Sequence, residues 1–396
     1  MREYNTKVLI VGTYCSLNKG DRLMQEVTAA LVAESGATPI IASPFPAIDR
    51  SVYVDVCVKK SRRRNLPLSV LQIITLLTLP KTFRNKFARN NDELKEYVSA
   101  KYIIDVSGDM LTEDYGPHVA ISHLIPLIYC VLLDKPFVVL AQSIGPFKRL
   151  KYLFKYILQR AFVISTRDQI SFDYLKNEGV GNLRNVADLG FLLRNEKTNL
   201  DFLTELTSDG KNIVVGICPS ALFFEKFKRS NPNINIDTFC SMLDDIARKN
   251  NFVYLIIPHV LTPSKKMDDE IFSKVMQEKL NTKSEIVDPR LKPACTKYIA
   301  SKISVLASFR MHGAIAGIDN NIPTMLVSYS HKAEGLFEKI GMTKYVIKND
   351  DDLIDRFRLC LESLVSEAPI LSQHLEKVVP KLRRQAEINK DIIFEM

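Results

Sequence analysis

The chain has 396 residues, of which 46% are hydrophobic and 25% are charged, and its formal net charge is +9. This composition is typical of a soluble globular protein and argues against a disordered chain or a bundle of membrane helices. The length exceeds that of one ordinary hydrophobic core, so we expect two domains. The seven cysteines are scattered, without the paired spacing of a zinc or redox motif, which predicts reduced thiols and no bound metal.

The N-terminal half alternates short apolar runs with helical segments. Residues 7–12 predict a strand that leads through a polar loop into a helix. The first residues lack the apolar run of a signal peptide, which favours a cytoplasmic protein. Further strands are predicted at 38–42, 101–106, 136–141 and 162–165. Short apolar runs separated by helices are typical of a buried parallel sheet.

The same alternation begins again after a polar stretch near residue 200. Strands are predicted at 213–220, 252–259, 285–287, 303–307 and 324–328, with helices near 236–250 and 266–280. From residue 351 the sequence is largely helical, and Pro380 predicts a break or kink. We therefore predict an α/β fold with two Rossmann-like domains facing a cleft. The predicted parts are an N-terminal domain over 1–200, a C-terminal domain over 201–350 and C-terminal helices over 351–396. Ligands of such folds lie at the carboxyl ends of the strands.

One insertion in the N-terminal domain carries the whole excess of positive charge. Residues 59–90 contain nine Lys and Arg and no acid, which leaves 54 − 9 = 45 basic residues against 45 Asp and Glu elsewhere. That concentration favours one local anionic partner and argues against a nucleic-acid binder. The apolar centre, 66–79, is shorter than the ~20 residues that cross a bilayer. It predicts a helix or hairpin on an anionic membrane surface; the alternative is a buried helix with solvated basic ends. The candidate lipid-facing cations are Arg62, Arg63, Arg64, Lys81 and Arg84.

Three segments of the N-terminal half place polar residues after predicted strands. Asn18 and Asp21 lie in a loop that either offers backbone N–H groups to an anion or caps the next helix. Asp109 follows the strand at 101–106 and either orients sugar hydroxyls or is a solvated loop acid. Arg167 follows the strand at 162–165 and either meets a carboxylate or phosphate or pairs locally with Asp168.

The strongest candidate segment spans residues 305–342. A predicted strand ends at Arg310 and His312, and the next one leads to His331 and Lys332, so two cations and two imidazoles are expected at adjacent strand ends. Small residues after His312 predict a helix that lies close to the sheet or to a ligand. His259, which ends the strand at 252–259, adds an imidazole on the same side. Packing alone explains this set poorly, so it predicts a functional site.

In their order along the chain these segments resemble the polysaccharide pyruvyltransferase family from about residue 8 to residue 342. The matching segments are NKGD (18–21), SGDML (107–111), QSIGPF (142–147), STRDQISFDYL (165–175), VADLGFLL (186–193), IIPH (256–259), FRMHGAIAG (309–317) and SYSHKAEGLFEKIG (328–341). The family is similar in fold to B-type glycosyltransferases, and its members transfer pyruvate from phosphoenolpyruvate to hexose hydroxyls as a ketal. The chain has fewer glycines than the family at 13–15 and 106–108, which leaves the acceptor open.

The resemblance implies that Arg167, His312 and Lys332 engage phosphoenolpyruvate, with Arg310 beside them. These residue types suit that donor, because Arg and Lys can neutralise its phosphate and carboxylate. We assign His312 as the catalytic acid or base and Asp109 as the group that orients the sugar. No cofactor is assigned, since phosphoenolpyruvate is a donor substrate. The remaining acceptor or loop candidates are Asn18, Asp21, His259 and His331.

We therefore predict a pyruvyltransferase that acts on a hexose of a polysaccharide repeat unit. Such units are commonly assembled on a polyprenyl-diphosphate lipid, so a lipid-linked acceptor and peripheral attachment to the inner face of the cell membrane are further hypotheses. Two alternatives stay open. One is a nucleotide-sugar-dependent glycosyltransferase of the same fold, with a carboxylate such as Glu334 for the ribose, and the other is a non-catalytic glycan-binding scaffold. The oligomeric state stays open.

Overall fold

The computed structural model of the protein describes residues 6–61, 65–207, 212–230, 235–262, 268–328, 331–348 and 352–396, without the side chains of 227–230 and 331–333. The chain divides into two compact units. Unit 1 comprises Met1–Ser16, Asp21–Leu192 and Arg383–Met396, and unit 2 comprises Leu17–Gly20 and Leu193–Leu382. The division therefore falls a few residues before the sequence boundary near 200, and the C-terminal helices contribute residues to both units.

Unit 1 is built on a parallel sheet. Its strands are β1 (Lys7–Val11), β2 (Thr38–Ser43), β3 (Cys57–Lys60), β4 (Tyr102–Asp105), β5 (Phe137–Gln142), β6 (Val163–Thr166) and β7 (Leu183–Asn185). Its helices are α1 (Lys19–Glu34), α2 (Pro46–Val52), α3 (Leu66–Thr78), α4 (Lys81–Arg89), α5 (Leu94–Ser99), α6 (Pro117–Leu132), α7 (Lys151–Leu158) and α8 (Gln169–Asn177). The described strands pair in the order β3-β2-β1-β4-β5-β6-β7, so the strand order reverses between β1 and β4.

Unit 2 repeats this architecture with a second parallel sheet. Its strands are β8 (Ile213–Cys218), β9 (Phe252–Ile256), β10 (Ser284–Ile286), β11 (Val305–Ser308), β12 (Thr324–Ser328) and β13 (Val346–Lys348). The helices from residue 201 onward are α9 (Asp201–Leu206), α10 (Ala221–Ser230), α11 (Ile236–Asn250), α12 (Asp269–Lys279), α13 (Pro293–Ala300), α14 (Met311–Asp319), α15 (His331–Lys339), α16 (Leu353–Ser366) and α17 (Ala368–Phe394). The described strands pair in the order β10-β9-β8-β11-β12-β13, which reverses between β8 and β11.

The predicted strands are all present, because each is a short apolar run that a buried parallel sheet requires. The sequence missed the edge strands β3, β7 and β13. These strands pair on one side only and tolerate charge, and β3 contains Lys59 and Lys60. Of the break or kink predicted at Pro380, the break is excluded, since α17 continues through this residue. The segment 66–89 forms the two helices α3 and α4, so the helical alternative predicted for it is confirmed and a β-hairpin is excluded.

The helices from α3 to α8 pack on one face of the sheet in unit 1. One buried cluster joins Leu9, Ile103 and Val139 of the strands to Leu76 of α3 and Phe154 of α7. Alternate strand residues supply this face, as expected for a sheet that is covered on both sides. Within the described ranges, no helix combines the length and the hydropathy that a membrane span needs.

Helix α14 lies against the sheet of unit 2 at glycine positions. A Cβ at Gly313 would lie 2.8 Å from Oγ of Ser308 and 2.9 Å from Sγ of Cys218. A Cβ at Gly317 would collide with Oγ1 of Thr324. The prediction that small residues let this helix approach the sheet is confirmed, because a larger residue at either position would push the helix outward.

Replacing Gly317 by alanine should destabilise unit 2 by about 1–3 kcal/mol, the usual cost of overpacking a core. Alanine is the better helix former by about 1 kcal/mol, so a net loss would isolate the clash. The measurement is the shift of the urea unfolding midpoint. Gly181→Ala is the matched control, because a Cβ at Gly181 meets no heavy atom within 4 Å. Equal midpoints for the two variants would contradict the close approach.

Candidate functional site

The carboxyl ends of β8 and β11 lie where the strand order of unit 2 reverses. β11 pairs with β8 on one side and with β12 on the other, all in parallel. Open α/β sheets bind their ligands at this kind of position. Arg310 and His312 follow β11 directly, with Arg310 at the N-cap of α14. The structure therefore places the strongest predicted pair at the expected ligand position of its own sheet.

Phe309 anchors the end of β11 in the core of unit 2. It is buried, and its N–H donates to the carbonyl of Cys218 at 2.8 Å, which ties it to the end of β8. Its ring contacts four further phenylalanine rings, with centroids 5.1 to 6.0 Å away: Phe223, Phe224, Phe239 and Phe357. Because Phe309 is held on all these sides, the backbone of Arg310 leaves the strand from a fixed point.

Arg310 is oriented by a buried carboxylate. Its Nε donates to Oδ2 of Asp269 at 3.1 Å and its Nη2 donates to Oδ1 at 2.7 Å, a bidentate pair. Asp269 also accepts the backbone N–H groups of Ala221 and Val260, each at 3.0 Å. The guanidinium remains partly exposed, whereas Asp269 is fully buried. Sequence reasoning missed Asp269; the signal was a second acid beside Asp268, which alone caps helix α12.

His312 packs against the loop that contains the NKGD motif. A Cβ at Gly20 would collide with Nδ1 of the His312 imidazole, so glycine is required for this contact. Asn18 shapes the loop, since its Oδ1 accepts the N–H of Gly20 at 2.9 Å. The loop is also tied to the end of β9, because the N–H of Lys19 donates to the carbonyl of His259 at 2.9 Å. Of the two alternatives for this loop, the contact of Asn18 with Gly20 fits capping of α1, and the loop brings His259 and His312 into one cluster.

Lys19 brings a buried positive charge to this cluster, and His259 brings a neutral imidazole ring. The buried ammonium of Lys19 donates to Oγ1 of Thr296 at 3.0 Å and to the carbonyl of Leu291 at 3.2 Å. Burial and the positive charge of Lys19 lower the pKa of His259 to about 3, so its ring is neutral near pH 7. Nδ1 lies 3.1 Å from the carbonyl of Ile257 and must donate to it, which leaves Nε2 as an acceptor. Sequence reasoning singled out His259 but not Lys19.

Arg167 belongs to unit 1, where it forms a buried ion pair. Its Nη1 lies 2.7 Å from Oδ2 of Asp188, with both side chains 3% exposed, and its Nε donates to Oγ of Ser143 at 2.9 Å. Burial by itself lowers the pKa of Arg167, but the carboxylates of Asp188 and Asp109 outweigh it and raise that pKa. The local pairing with Asp168 is wrong, because Asp168 instead caps α8 through the N–H of Ser171 at 2.7 Å.

Because the ion pair of Arg167 is buried, an alanine substitution at this position affects the stability of unit 1 as well as any binding. Removing one partner of a buried ion pair costs about 3–5 kcal/mol, because the remaining charge is left without compensation. Arg167→Ala would therefore leave Asp188 as such a charge and lower the stability of unit 1. A loss of activity in that variant would not by itself assign Arg167 to substrate binding, and its role in phosphoenolpyruvate binding stays a prediction.

The reversal point of unit 1 carries Asp109 and Asp21. Asp109 follows β4 and is partly buried, with Oδ2 accepting from the hydroxyl of Tyr115 at 2.5 Å. Asp21 accepts the N–H of Tyr14 at 3.0 Å, which shapes the loop after β1. That loop begins at Gly12, whose φ of +104° and contact with β4 exclude a side chain. Asp21 thus has a loop-shaping contact, and Asp109 lies beside Arg167 at the carboxyl ends of the strands.

The remaining predicted residues either lie outside the described part of the chain or make contacts within unit 1. The side chains of His331 and Lys332 and the residues Arg62, Arg63 and Arg64 lie outside the described part of the chain. Lys81 is exposed and 3.6 Å from Asp134. Arg84 donates to the backbone carbonyls of Leu79 and Leu132, so its guanidinium links α4 to the end of α6. Within the described ranges, no three His, Cys, Asp or Glu side chains form a group that could hold a metal ion.

Comparison with solved structures places both units in a known architecture. A glycosyltransferase from Rickettsia africae superposes with a TM-score of 0.59 at 10% identity, covering 99% of this chain and 96% of that chain. The UDP-GlcNAc 2-epimerase from Neisseria meningitidis superposes with a TM-score of 0.60 at 10% identity, covering 98% and 99%. At this identity the likeness concerns the fold. The predicted α/β class with two parallel-sheet domains, similar to glycosyltransferases, is confirmed.

Sequence comparison is more specific than the fold. The amylovoran biosynthesis protein AmsJ of Erwinia amylovora is 20% identical over 370 residues, which are 85% of this chain and 86% of AmsJ. A family profile described as polysaccharide pyruvyl transferase matches residues 18–331, a range that begins at Asn18 and includes Arg310 and His312. The chain therefore belongs to the polysaccharide pyruvyl transferase family.

Proposed function

We propose that the protein transfers the pyruvyl group of phosphoenolpyruvate to two hydroxyls of a hexose in a polysaccharide repeat unit, forming a ketal. The observation that carries this proposal is the ion pair of Arg310 with Asp269 in unit 2. Arg310, held by buried Asp269, lies with His312 at the start of α14 and at the reversal point of the sheet. A family whose members transfer pyruvyl groups needs an anion site beside an acid or base, and this cluster has both components.

The charges of the cluster suit a donor with two anionic groups. Phosphoenolpyruvate carries a phosphate and a carboxylate, and Arg310 and Lys19 are cations on neighbouring segments of unit 2. Asp269 uses Nε and Nη2 of Arg310, so the Nη1 edge of the guanidinium is not engaged by that carboxylate. The N-terminus of α14 adds the partial positive charge of its backbone N–H groups. The family resemblance also assigns Lys332 of unit 2 to the donor.

The proposed reaction needs one acid at the methylene carbon and one base at the sugar. His312 donates a proton to that carbon, the neighbouring carbon becomes electrophilic, and the first sugar hydroxyl bonds to it and loses its proton. Loss of phosphate then opens the same carbon to the second hydroxyl, whose proton leaves in turn. Of the two hydroxyl protons, one replaces the proton that His312 gave and the other leaves with phosphate. Arg310 stabilises the phosphate as charge builds on it.

We place the acceptor at the reversal point of unit 1. Asp109, fixed by Tyr115, offers a carboxylate to sugar hydroxyls. Tyr14 adds an exposed aromatic ring, which Phe45 supports edge to face at 5.0 Å. The name of AmsJ connects that relative to amylovoran biosynthesis, which supports a polysaccharide acceptor. The form of the acceptor that we propose is a repeat unit linked to polyprenyl diphosphate. In the nucleotide-sugar alternative, Glu334 would have to give up its ion pair with Lys348 at 3.2 Å to bind a ribose.

Replacing His312 by alanine should lower the turnover number by about 10²–10⁴-fold, the usual contribution of a positioned acid or base. The measurement is release of inorganic phosphate from phosphoenolpyruvate with a sugar acceptor, together with the mass gain of a pyruvate ketal. His118→Ala is the matched control, because His118 is an exposed histidine of unit 1. Turnover that survives in His312→Ala would remove the assignment, and nucleotide release from a sugar donor would favour the alternative enzyme.

Replacing Arg310 by lysine should raise the KM for phosphoenolpyruvate by about tenfold or more, because a single ammonium cannot bond to Asp269 and to the donor in the geometry of a planar fork. The charge that compensates buried Asp269 is kept, so the variant should stay folded. Steady-state kinetics at varied phosphoenolpyruvate and fixed acceptor give the measurement. Arg290→Lys, at an exposed arginine of unit 2, is the control. An unchanged KM would show that Arg310 does not bind the donor.

The neutral state of His259 predicts a pH dependence of stability. The pKa of this ring is about 3 in the folded chain and about 6.5 when unfolded, so unfolding takes up one proton between these values. The free energy of unfolding should therefore fall as the pH is lowered, by about 2 kcal/mol between pH 6.5 and 5 from this group.

The difference between wild type and His259→Gln isolates this contribution. Unfolding midpoints are measured at pH 5 and pH 7.5 for both proteins, with His118→Gln as the control at an exposed histidine. We expect the wild type to lose more stability on acidification than His259→Gln, and His118→Gln to behave as wild type. The same loss in all three proteins would mean that His259 is charged in the folded state.

A further inference from the structure

Helix α3 carries an apolar stripe on its exposed side in addition to the leucine, Leu76, that it buries in the core. Its exposed residues are apolar and recur at helical spacing, and two of them, Leu71 and Leu77, are 59% and 58% exposed. Its buried side includes the polar residues Ser69 and Gln72, and Gln72 accepts the hydroxyl of Tyr129 at 2.6 Å. A surface helix of a globular protein normally turns such an apolar stripe towards the core. The full exposed apolar set is Val70, Leu71, Ile74 and Leu77.

Helix α7 presents a second exposed apolar strip on the same side of unit 1. Tyr152 is 84% exposed, and Leu153 and Tyr156 are exposed beside it. The guanidinium of Arg160 lies over the ring of Tyr156 at 3.5 Å. Tyrosines with an apolar body and a polar tip are enriched where hydrocarbon meets water. The sequence alone does not reveal this strip, because its apolar residues are mixed with lysines and arginines.

The two strips lie on one face of unit 1. Leu76 of α3 and Phe154 of α7 belong to the same buried cluster, which covers a single side of the sheet. Helix α3 packs on α6, and α6 packs on α7, so the three helices form one layer. The exposed sides of α3 and α7 therefore both lie on the outer surface of this helix layer, opposite the sheet. We call the exposed residues of α3, α4 and α7 the basic apolar face.

The sequence segments that form these strips are rich in cations and poor in acids. Residues 59–90 contain nine cations and no acid, and no acid occurs between Asp134 and Asp168 either. Some of the cations are engaged, since Lys81 pairs with Asp134 and Lys151 pairs with Glu178. The exposed cations of these segments include Lys86 and Arg89 of α4 and Lys148 and Arg149 before α7, where the carboxylate of Glu113 accepts the backbone N–H groups of Lys148 and Arg149.

We propose that the basic apolar face seats unit 1 on an anionic lipid bilayer. The exposed leucines and tyrosines enter the boundary between headgroups and acyl chains, and the lysines and arginines meet the lipid phosphates. A second copy of this chain fits the face less well, because a symmetric contact would bring two groups of cations together. The proposal is independent of the donor chemistry, and its failure would leave the pyruvyl transfer proposal intact.

The test is flotation of the full chain with vesicles of phosphatidylcholine alone or with phosphatidylglycerol added. We expect the wild type to float with the anionic vesicles and to be released as the salt concentration rises. The triple variant Leu71→Ser, Ile74→Ser and Leu77→Ser should bind at least about tenfold more weakly, because it removes the apolar residues that enter the bilayer. The double variant Lys86→Glu and Arg89→Glu should lose anionic binding while keeping every apolar residue.

The matched control is Leu359→Ser with Ile370→Ser, two comparably exposed apolar residues of unit 2. It should bind as the wild type does, and thermal unfolding should show that all variants remain folded. The proposal is overturned if the wild type does not float, if it binds neutral and anionic vesicles equally, or if both surface variants bind unchanged. A dimer in solution that the serine variant abolishes would assign the face to self-association and would also overturn it.

Discussion

The buried carboxylate of Asp269 is the constraint on which the site of unit 2 depends. A charge without water needs several donors, and Asp269 has four: two N–H groups of Arg310 and the backbone N–H groups of Ala221 and Val260. These donors come from the segments that follow β8, β9 and β11. One side chain therefore fixes three strand ends relative to one another and sets the direction of the Arg310 guanidinium.

The remaining features of the site keep the surroundings of this pair close-packed. Phe309 fills the core behind Arg310, and Gly313 lets α14 lie against Ser308 and Cys218. Gly20 admits the imidazole of His312. Each of these positions is decided by volume. A methyl group at Gly20 would displace His312, which the reaction is proposed to use, and a methyl group at Gly313 would push α14 away from Ser308 and Cys218. Preorganisation of this kind keeps charged groups in place before a substrate arrives.

Both units pair an arginine with a buried aspartate, but the two arginines differ in their exposure. In each, an arginine after a strand is paired with a buried aspartate, Asp188 for Arg167 and Asp269 for Arg310. Arg167 is fully enclosed, whereas Arg310 retains partial exposure. Burial of the first pair makes Arg167 part of what stabilises unit 1. The second pair combines stability with access for a ligand, which suits the donor role proposed for Arg310.

The sequence by itself determined the repeated α/β architecture, the family and the pair Arg310 and His312, because buried strands and strand-end motifs are local patterns. The partners of the arginines were decided by the tertiary structure: Asp269 is 41 residues from Arg310, and only the pairing of β8 with both β9 and β11 brings them together. The same holds for the contact of Gly20 with His312. The exposed apolar stripe of α3 also needed the structure, since the sequence of an apolar helix does not show which of its sides the neighbouring elements cover.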